Sequence, residues 1–257
     1  MLEKRSKIFM YYIKMTFTPQ SEAEITEENV EDESYNLWGY LGDLRCNGQI
    51  YKDFTIIYND KTFQAFFLTP ELDSIDEKNC RSYTNEKLAK IKNEYTITTE
   101  ILGKNIVTEK FCTCAESSWY ILYTCQSYAV SPIVCGDCLY MIPAYKFSHV
   151  QLPKACQPTL GWQADYDLID QLWRYSSFDR FTYRQMSNPE SQLSKSGREI
   201  CAAYEHALNK PFYYFLYHFS DSKKSREQCP ICKSDWALEE NIGNMAFKCD
   251  KCRIISC

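Results

Sequence analysis

Histidine is scarce in this chain, with three residues in 257: His149, His206 and His218. No spacing among them matches a catalytic zinc motif, and no nucleophile-elbow pattern occurs. The expectation is therefore that the protein is not an enzyme. Glycine is also sparse, with 8 residues spread along the chain, which argues against a glycine-rich phosphate cradle. There is no apolar run long enough to span a bilayer. The apolar run at residues 8–13 is ended by Lys14. It is short for a secretory signal, and no small-residue cleavage site follows. These absences predict a cytoplasmic protein with no membrane partner. Positive charge is not in excess either: 29 Lys and Arg stand against 34 Asp and Glu, a net charge of −5. A protein that grips nucleic acid mainly through phosphates is usually basic or has a clearly basic face.

Cysteine and aromatic residues are abundant, with 14 Cys, 20 Tyr, 14 Phe and 5 Trp. In a reducing compartment a Cys-x-x-Cys pair points to metal or redox chemistry rather than to a disulfide framework. The end of the chain carries two such pairs, Cys229-Pro230-Ile231-Cys232 and Cys249-Asp250-Lys251-Cys252. Each pair lets one tight turn present two sulfurs to one metal. Two turns complete the four-thiolate shell that structural Zn²⁺ prefers. Residues 236–239 and 245–248 read as short strands, and Asn241, Gly243 and Asn244 supply the turn. The pattern is that of a zinc ribbon with Cys229, Cys232, Cys249 and Cys252 as ligands of one structural ion. The bland alternative is four unrelated buried cysteines.

The first hundred residues alternate strand and helix signals. Strands are predicted over residues 8–18, 51–58, 62–69 and 95–102, and helices over 29–45 and 85–94. The order β-α-β-β-α-β is the ferredoxin-like split pattern. Ahead of the first helix, residues 21–33 carry seven acids and no base. Such a stretch reads either as a solvated loop and helix start or as a docking surface for a basic partner. Tyr35 and Trp38 beside it are the residue types favoured as interface anchors.

In the middle of the chain, residues 119–123 read as a buried strand. Cys135-Gly136-Asp137-Cys138 is a third Cys-x-x-Cys. It has three readings: half of a second zinc site, completed by Cys112 and Cys114 or by His149 and Cys156; a redox pair; or a reduced turn with two packed thiols. Residues 164–175 predict a helix, 178–185 a half-exposed strand, and 212–219 an aromatic strand. Ser187-Asn188-Pro189-Glu190 reads as the start of a helix running to Leu208. Arg174, Arg180 and Arg184 lie among aromatics. That arrangement suits either stacking on nucleic acid or, as we favour, cation–π contacts and buried stems. Residues 221–226 form a polar linker.

The second half, residues 115–257, resembles a family of uncharacterised bacterial zinc-ribbon-containing proteins for which nucleic-acid binding has been suggested. The resemblance rests on Cys135-Gly136-Asp137-Cys138 with Ile142-Pro143, Trp162-Gln163, Tyr166, Leu172-Trp173, Leu193-Ser194, Gly197-Arg198, residues 211–216 and the ending Cys249-Asp250-Lys251-Cys252-Arg253. It implies a zinc site at Cys229, Cys232, Cys249 and Cys252 and supplies no activity. Lys233 stands where glycine often follows the knuckle, which leaves the turn geometry open.

The expected architecture is α+β in three parts: a ferredoxin-like domain at 1–108, a mixed middle domain at 109–220 containing the Cys-x-x-Cys turn, and a zinc ribbon at 221–257. The expected cofactor is one structural Zn²⁺, with a second at Cys135 and Cys138 as the open case. Residues 221–257 hold seven Lys or Arg and six acids. With the charge of a zinc tetrathiolate added, the segment is slightly negative, against phosphate-driven binding. The expected function is a protein-binding module with a basic partner, for example an inhibitor or immunity protein against a basic toxin. The alternative is a regulatory nucleic-acid-binding protein.

Overall fold

The computed structural model describes residues 10–20, 25, 29–106, 111–125, 130–154, 156, 158–175, 178–218 and 228–257. The chain is mixed α+β and divides into two compact units. One comprises Met1–Phe111 with Pro143–Ser148, the other Cys112–Ile142 with His149–Cys257.

In the first unit the elements run β1 (Tyr11–Pro19), α1 (Val30–Cys46), β2 (Tyr51–Asn59), β3 (Thr62–Thr69), α2 (Ser82–Glu94) and β4 (Tyr95–Lys104). The sheet order is β2-β3-β1-β4, with every neighbouring pair antiparallel. Alternation along the strands makes one face apolar. Ile13, Met15 and Phe17 of β1 and Phe63, Ala65 and Phe67 of β3 are buried there. Leu37, Leu41 and Leu44 of α1 recur at helical spacing and close over that face with Leu88 and Ile91 of α2. The tight β2–β3 turn places Asp60 and Lys61 at positive φ, 48° and 60°. Of the acidic stretch, Glu31, Asp32 and Glu33 form the first turn of α1. Glu22, Glu24, Glu27 and Glu28 lie outside the described residues, as does the expected linker at 221–226.

In the second unit, β5 (Tyr120–Leu122), β6 (Ile133–Cys135), α3 (Thr159–Tyr175), α4 (Asp179–Ser187), α5 (Gln192–Leu208), β7 (Phe212–Phe215), β8 (Ala237–Ile242), β9 (Met245–Cys249) and β10 (Ile254–Ser256) follow in order. The strands form one six-stranded sheet, β6-β5-β7-β10-β9-β8. β7 is parallel to both β5 and β10. The expected middle domain and ribbon are therefore continuous through hydrogen bonds between β7 and β10. The nine residues 219–227 lie outside the described residues, and β7 ends at Phe215 rather than at 219.

Two sequence expectations need correction here. Residues 178–185 are not a strand but lie in helix α4. Its buried residues, Thr182 and Met186, are four apart, whereas Phe181 is 56% exposed. The apparent alternation of aromatic and basic residues did not mark a buried face. The start of α5 also shifts. Asn188 and Pro189 form a turn in which the Ser191 N–H donates to the Asn188 carbonyl at 3.0 Å. Ser191 is then the N-cap, its hydroxyl accepting the Ser194 N–H at 3.1 Å. Asn209 ends the helix in the left-handed conformation at φ 51°.

The helices meet the sheet at Trp162. This residue is fully buried, its Nε1–H donates to the Leu193 carbonyl at 3.0 Å, and its ring meets Tyr214 edge-on at 5.9 Å. Gly197 makes this approach possible. A Cβ there would lie 2.3 Å from the Tyr214 ring and 2.9 Å from Trp162 Nε1. Gly197→Ala is thus expected to destabilise this unit by about 1–3 kcal/mol through overpacking. Gly42→Ala in α1 meets nothing within 4 Å and should add up to about 1 kcal/mol by helix propensity. Urea unfolding of the two variants checks both signs; a wild-type midpoint for G197A would contradict the described packing.

Candidate metal centres

Cys229, Cys232, Cys249 and Cys252 converge, with their sulfur atoms all within 4.8 Å of one another. Local backbone geometry brings this about. The Cys229 N–H donates to the Ser234 carbonyl at 2.8 Å, and the Lys233 N–H donates back to the Cys229 carbonyl at 3.0 Å. This tight loop needs a left-handed residue after the second cysteine, and Lys233 adopts φ 62°. The lysine in place of glycine keeps the turn geometry. On the other side, β9 ends at Cys249, Arg253 sits at φ 51° and β10 begins at Ile254. The β8–β9 turn uses Gly243 at φ 61°. The Trp236 and Phe247 rings meet at a tilt of 32°, with centroids 5.2 Å apart.

A second tetrad forms in the same unit. Cys112, Cys114, Cys135 and Cys138 also hold their sulfurs within 4.8 Å of one another. Of the two ligand completions the sequence allowed for Cys135 and Cys138, the structure brings up Cys112 and Cys114; His149 and Cys156 are not in the cluster. The redox reading loses its structural context, because no helix follows Cys138.

The thiols of both tetrads suit a cation. The Ser234 hydroxyl and backbone hold the Cys232 thiol low, at about 6. Burial pushes Cys229 and Cys252 up. In the second tetrad, burial acts against ionisation of Cys135, but hydrogen bonds led by the Ser117 hydroxyl, 3.1 Å from its sulfur, outweigh it and lower the thiol. Burial raises Cys112 to about 11 and raises Cys138 as well. Each cluster therefore combines one thiol made easier to ionise with two whose burial resists ionisation unless a positive charge compensates them. Either tetrad could hold a metal ion.

Two cations beside the C-terminal tetrad, Lys248 and Arg253, are engaged within the protein. Lys248 Nζ lies over the rings of Tyr213 and Trp119, 4.6 and 5.3 Å from their centroids, and pairs with Asp250 at 2.8 Å. Tyr213 donates its hydroxyl to Asp250 at 2.6 Å. Arg253 bonds both oxygens of Glu205 at 2.9 and 3.0 Å. Lys251 is exposed. On α3, Arg174 bonds Asp170 at 3.0 Å, while Arg180 and Arg184 on α4 are exposed. In the first unit, α1 presents Tyr35 at 74% and Trp38 at 54% exposure. They line a cleft of about 480 Å³ with Asp43, Lys87, Lys90 and Glu94.

The strain at Lys233 is testable by itself. A left-handed lysine costs roughly 1–2 kcal/mol relative to glycine in the folded state, partly offset by glycine's freedom in the unfolded chain. Lys233→Gly should therefore stabilise the knuckle by about 0.5 kcal/mol, seen as slower amide exchange at Cys229 and Lys233. Faster exchange would contradict the turn described.

Comparison with known proteins covers nearly the whole chain. Residues 10–102, 114–217 and 220–257 match three family models described as domains of unknown function, DUF8589, DUF2310 and DUF8594. Among solved structures, two crystal structures of SnoaB, a cofactor-independent oxygenase from Streptomyces nogalater, one of them of a point mutant, are similar over 37% and 38% of this chain and 91% and 94% of their own, at 10% and 9% identity and TM-scores of 0.29 and 0.30. That likeness assigns no activity at those values. The expectation of a non-enzyme does not stand, because sparse histidine and a closed thiolate shell speak only to histidine and catalytic-zinc chemistry. An uncharacterised protein of Haemophilus influenzae is 29% identical over 90% of this chain and 92% of its own length. Another from the same organism is 32% identical over 61% of this chain and 79% of its own length. With that second relative matched over most of its length, the chain belongs to an uncharacterised bacterial family that includes these Haemophilus influenzae proteins.

Proposed function

We propose that the protein is a zinc-ribbon recognition protein. In this reading Cys229, Cys232, Cys249 and Cys252 hold one structural Zn²⁺, and a basic protein partner is bound elsewhere on the chain. The observation that carries it is the convergence of four thiols on two tight turns, beside cations already consumed by internal partners. Four thiolates and no open ligand position suit a structural ion. A β-hairpin this small gains from a metal the stability that its own core cannot supply. The strand order β2-β3-β1-β4 with the element order β-α-β-β-α-β supports a ferredoxin-like first domain. The three family matches support the division at 1–108, 109–220 and 221–257.

The partner reading rests on the first turn of α1. Glu31 and Asp32 are exposed there, while Glu33 accepts a hydrogen bond from Tyr95 at 3.0 Å. Exposed Tyr35 and Trp38 follow immediately. Acid beside aromatic anchors would attract and seat a basic surface. An inhibitor or immunity role toward a basic toxin is one form of this function, and the identity of the partner decides it. Nucleic-acid binding at the ribbon has less support. Lys248 and Arg253 are committed to Asp250 and Glu205, and phosphate binding would have to displace those carboxylates.

Two measurements test this reading. Elemental analysis of purified protein should find zinc, and Cys232→Ser should remove about one equivalent and lower the melting temperature. Less than about half an equivalent in the wild type, with its thiols reduced, would sink the zinc assignment. For the partner, a stoichiometric basic protein should be captured from nuclease-treated lysate at low salt. Its capture should fall at least about tenfold with Trp38→Ala or with Glu31→Lys combined with Asp32→Lys. Capture unaffected by those changes, or nucleic acid recovered in place of protein from a parallel lysate without nuclease, would refute the proposed surface.

A further inference from the structure

The third Cys-x-x-Cys is built like the two turns of the C-terminal tetrad, and the hairpin that leads to it is built like theirs. In the C-terminal tetrad, the first cysteine's N–H donates to the carbonyl five residues on, Cys229 to Ser234 at 2.8 Å. The residue four on returns a bond, Lys233 to Cys229 at 3.0 Å. At the third pair the Cys135 N–H donates to the Tyr140 carbonyl at 2.9 Å, and the Leu139 N–H donates to the Cys135 carbonyl at 2.9 Å. The residue after the second cysteine is left-handed in all three: Lys233 at φ 62°, Arg253 at 51° and Leu139 at 61°. A branched apolar residue such as leucine rarely takes that conformation unless its surroundings impose it.

The surrounding strands repeat as well. β8 and β9 are antiparallel and β9 ends on Cys249, with Cys229 and Cys232 preceding the hairpin. β5 and β6 are antiparallel and β6 ends on Cys135, with Cys112 and Cys114 preceding the hairpin. After the last turn the chain returns beside the strand it left, Ile254 opposite Cys249. After Cys138 it does the same, Met141 opposite Val134. The departure is the first cysteine pair, which has one residue between its members instead of two. The Cys114 N–H nevertheless donates to the Cys112 sulfur at 3.4 Å, and the Cys112 N–H is anchored to the Met141 carbonyl at 2.7 Å. Gly136 lets this turn close onto Trp119, whose ring a Cβ would meet at 2.1 Å. The Gly136 N–H also donates to the Trp119 carbonyl at 2.9 Å.

We infer that residues 112–125 and 130–142 form a second zinc ribbon, with Cys112, Cys114, Cys135 and Cys138 as the four thiolate ligands of a second structural Zn²⁺. The inference goes beyond the proposed function and shares with it only the identity of the ion. The two ribbons occupy the two sides of one sheet, β6-β5 at one edge and β9-β8 at the other. Binding releases the thiol protons, leaves the sulfurs as thiolates and changes no oxidation state.

The test uses the full-length protein purified under reducing conditions, with zinc and iron measured per chain. The wild type should carry about two equivalents of zinc, and Cys138→Ser and Cys232→Ser about one each. If Cys138→Ser keeps all the zinc of the wild type while Cys232→Ser loses it, this inference falls and the C-terminal site stands. The reverse pattern keeps this site and removes the C-terminal one. Iron with ferric-thiolate absorption at the second tetrad would also overturn the inference. Should Cys138→Ser not fold, titration of native wild type with a mercurial reagent decides. Release of about two zinc ions, in two steps or one, supports the second ribbon, and release of a single ion that is absent from Cys232→Ser rejects it.

Discussion

The second unit depends on where its last strand lies. Ile254 and Ile255 are fully buried, and they pair on both sides. One side is parallel to Tyr214 and Phe215, the other antiparallel to Cys249 and Lys248. Two hydrogen bonds donated by the β7 segment lock the parallel side, Tyr214 N–H to the Arg253 carbonyl and Leu216 N–H to the Ile255 carbonyl, both at 2.9 Å. A three-residue strand at the edge of a small hairpin would be marginal in water. Inserted between β7 and β9, it is paired on both sides and joins a small hairpin to a helical layer. The Trp162–Tyr214–Gly197 contact then connects that sheet to α3 and α5.

The same arrangement governs the charges. Tyr213, on the strand next to β10, faces the last cysteine turn and collects Asp250, Lys248 and Arg253. Hydrogen bonds and the nearby Lys248 ammonium hold the Asp250 carboxyl below its ordinary range, and Glu205 holds the Arg253 guanidinium above its own. Charges engaged in this way orient the turn on the sheet. Breaking them to bind phosphate would leave the exposed Asp250 and the partly buried Glu205 carboxylates uncompensated, and the penalty is larger at Glu205. That is the physical ground for proposing recognition at the acidic, aromatic start of α1 rather than at the C-terminal tetrad.

Much of the first unit was legible because its strands bury one face. Ile13, Met15 and Phe17 alternate with Lys14 and Thr16, and Leu37, Leu41 and Leu44 keep helical spacing, so periodicity and burial agree. Reading failed where they disagree. In α4 the large apolar residue Phe181 points outward and small Thr182 inward, its hydroxyl donating to the Phe178 carbonyl at 2.9 Å. An alternation of aromatic and basic residues then imitates a strand. β10 carried no signal of its own, being three residues whose burial comes from partners far away in the chain. The role of Ser191 as cap was hidden by the stronger-looking Ser187-Asn188-Pro189-Glu190.

By itself the sequence determined the two Cys-x-x-Cys turns of the C-terminal tetrad, since a two-residue spacing confines both sulfurs to one turn. It also determined the alternating elements of the first unit, because periodicity is a local property. Only the tertiary structure decided that Cys112 and Cys114, and not His149 and Cys156, join Cys135 and Cys138. Ligand sets closed across a sheet depend on strand pairing, and β5–β6 pairing is a non-local choice. It also decided that Lys233, Leu139 and Arg253 all take the left-handed conformation, which their side chains disfavour and the closing hydrogen bonds of each turn enforce.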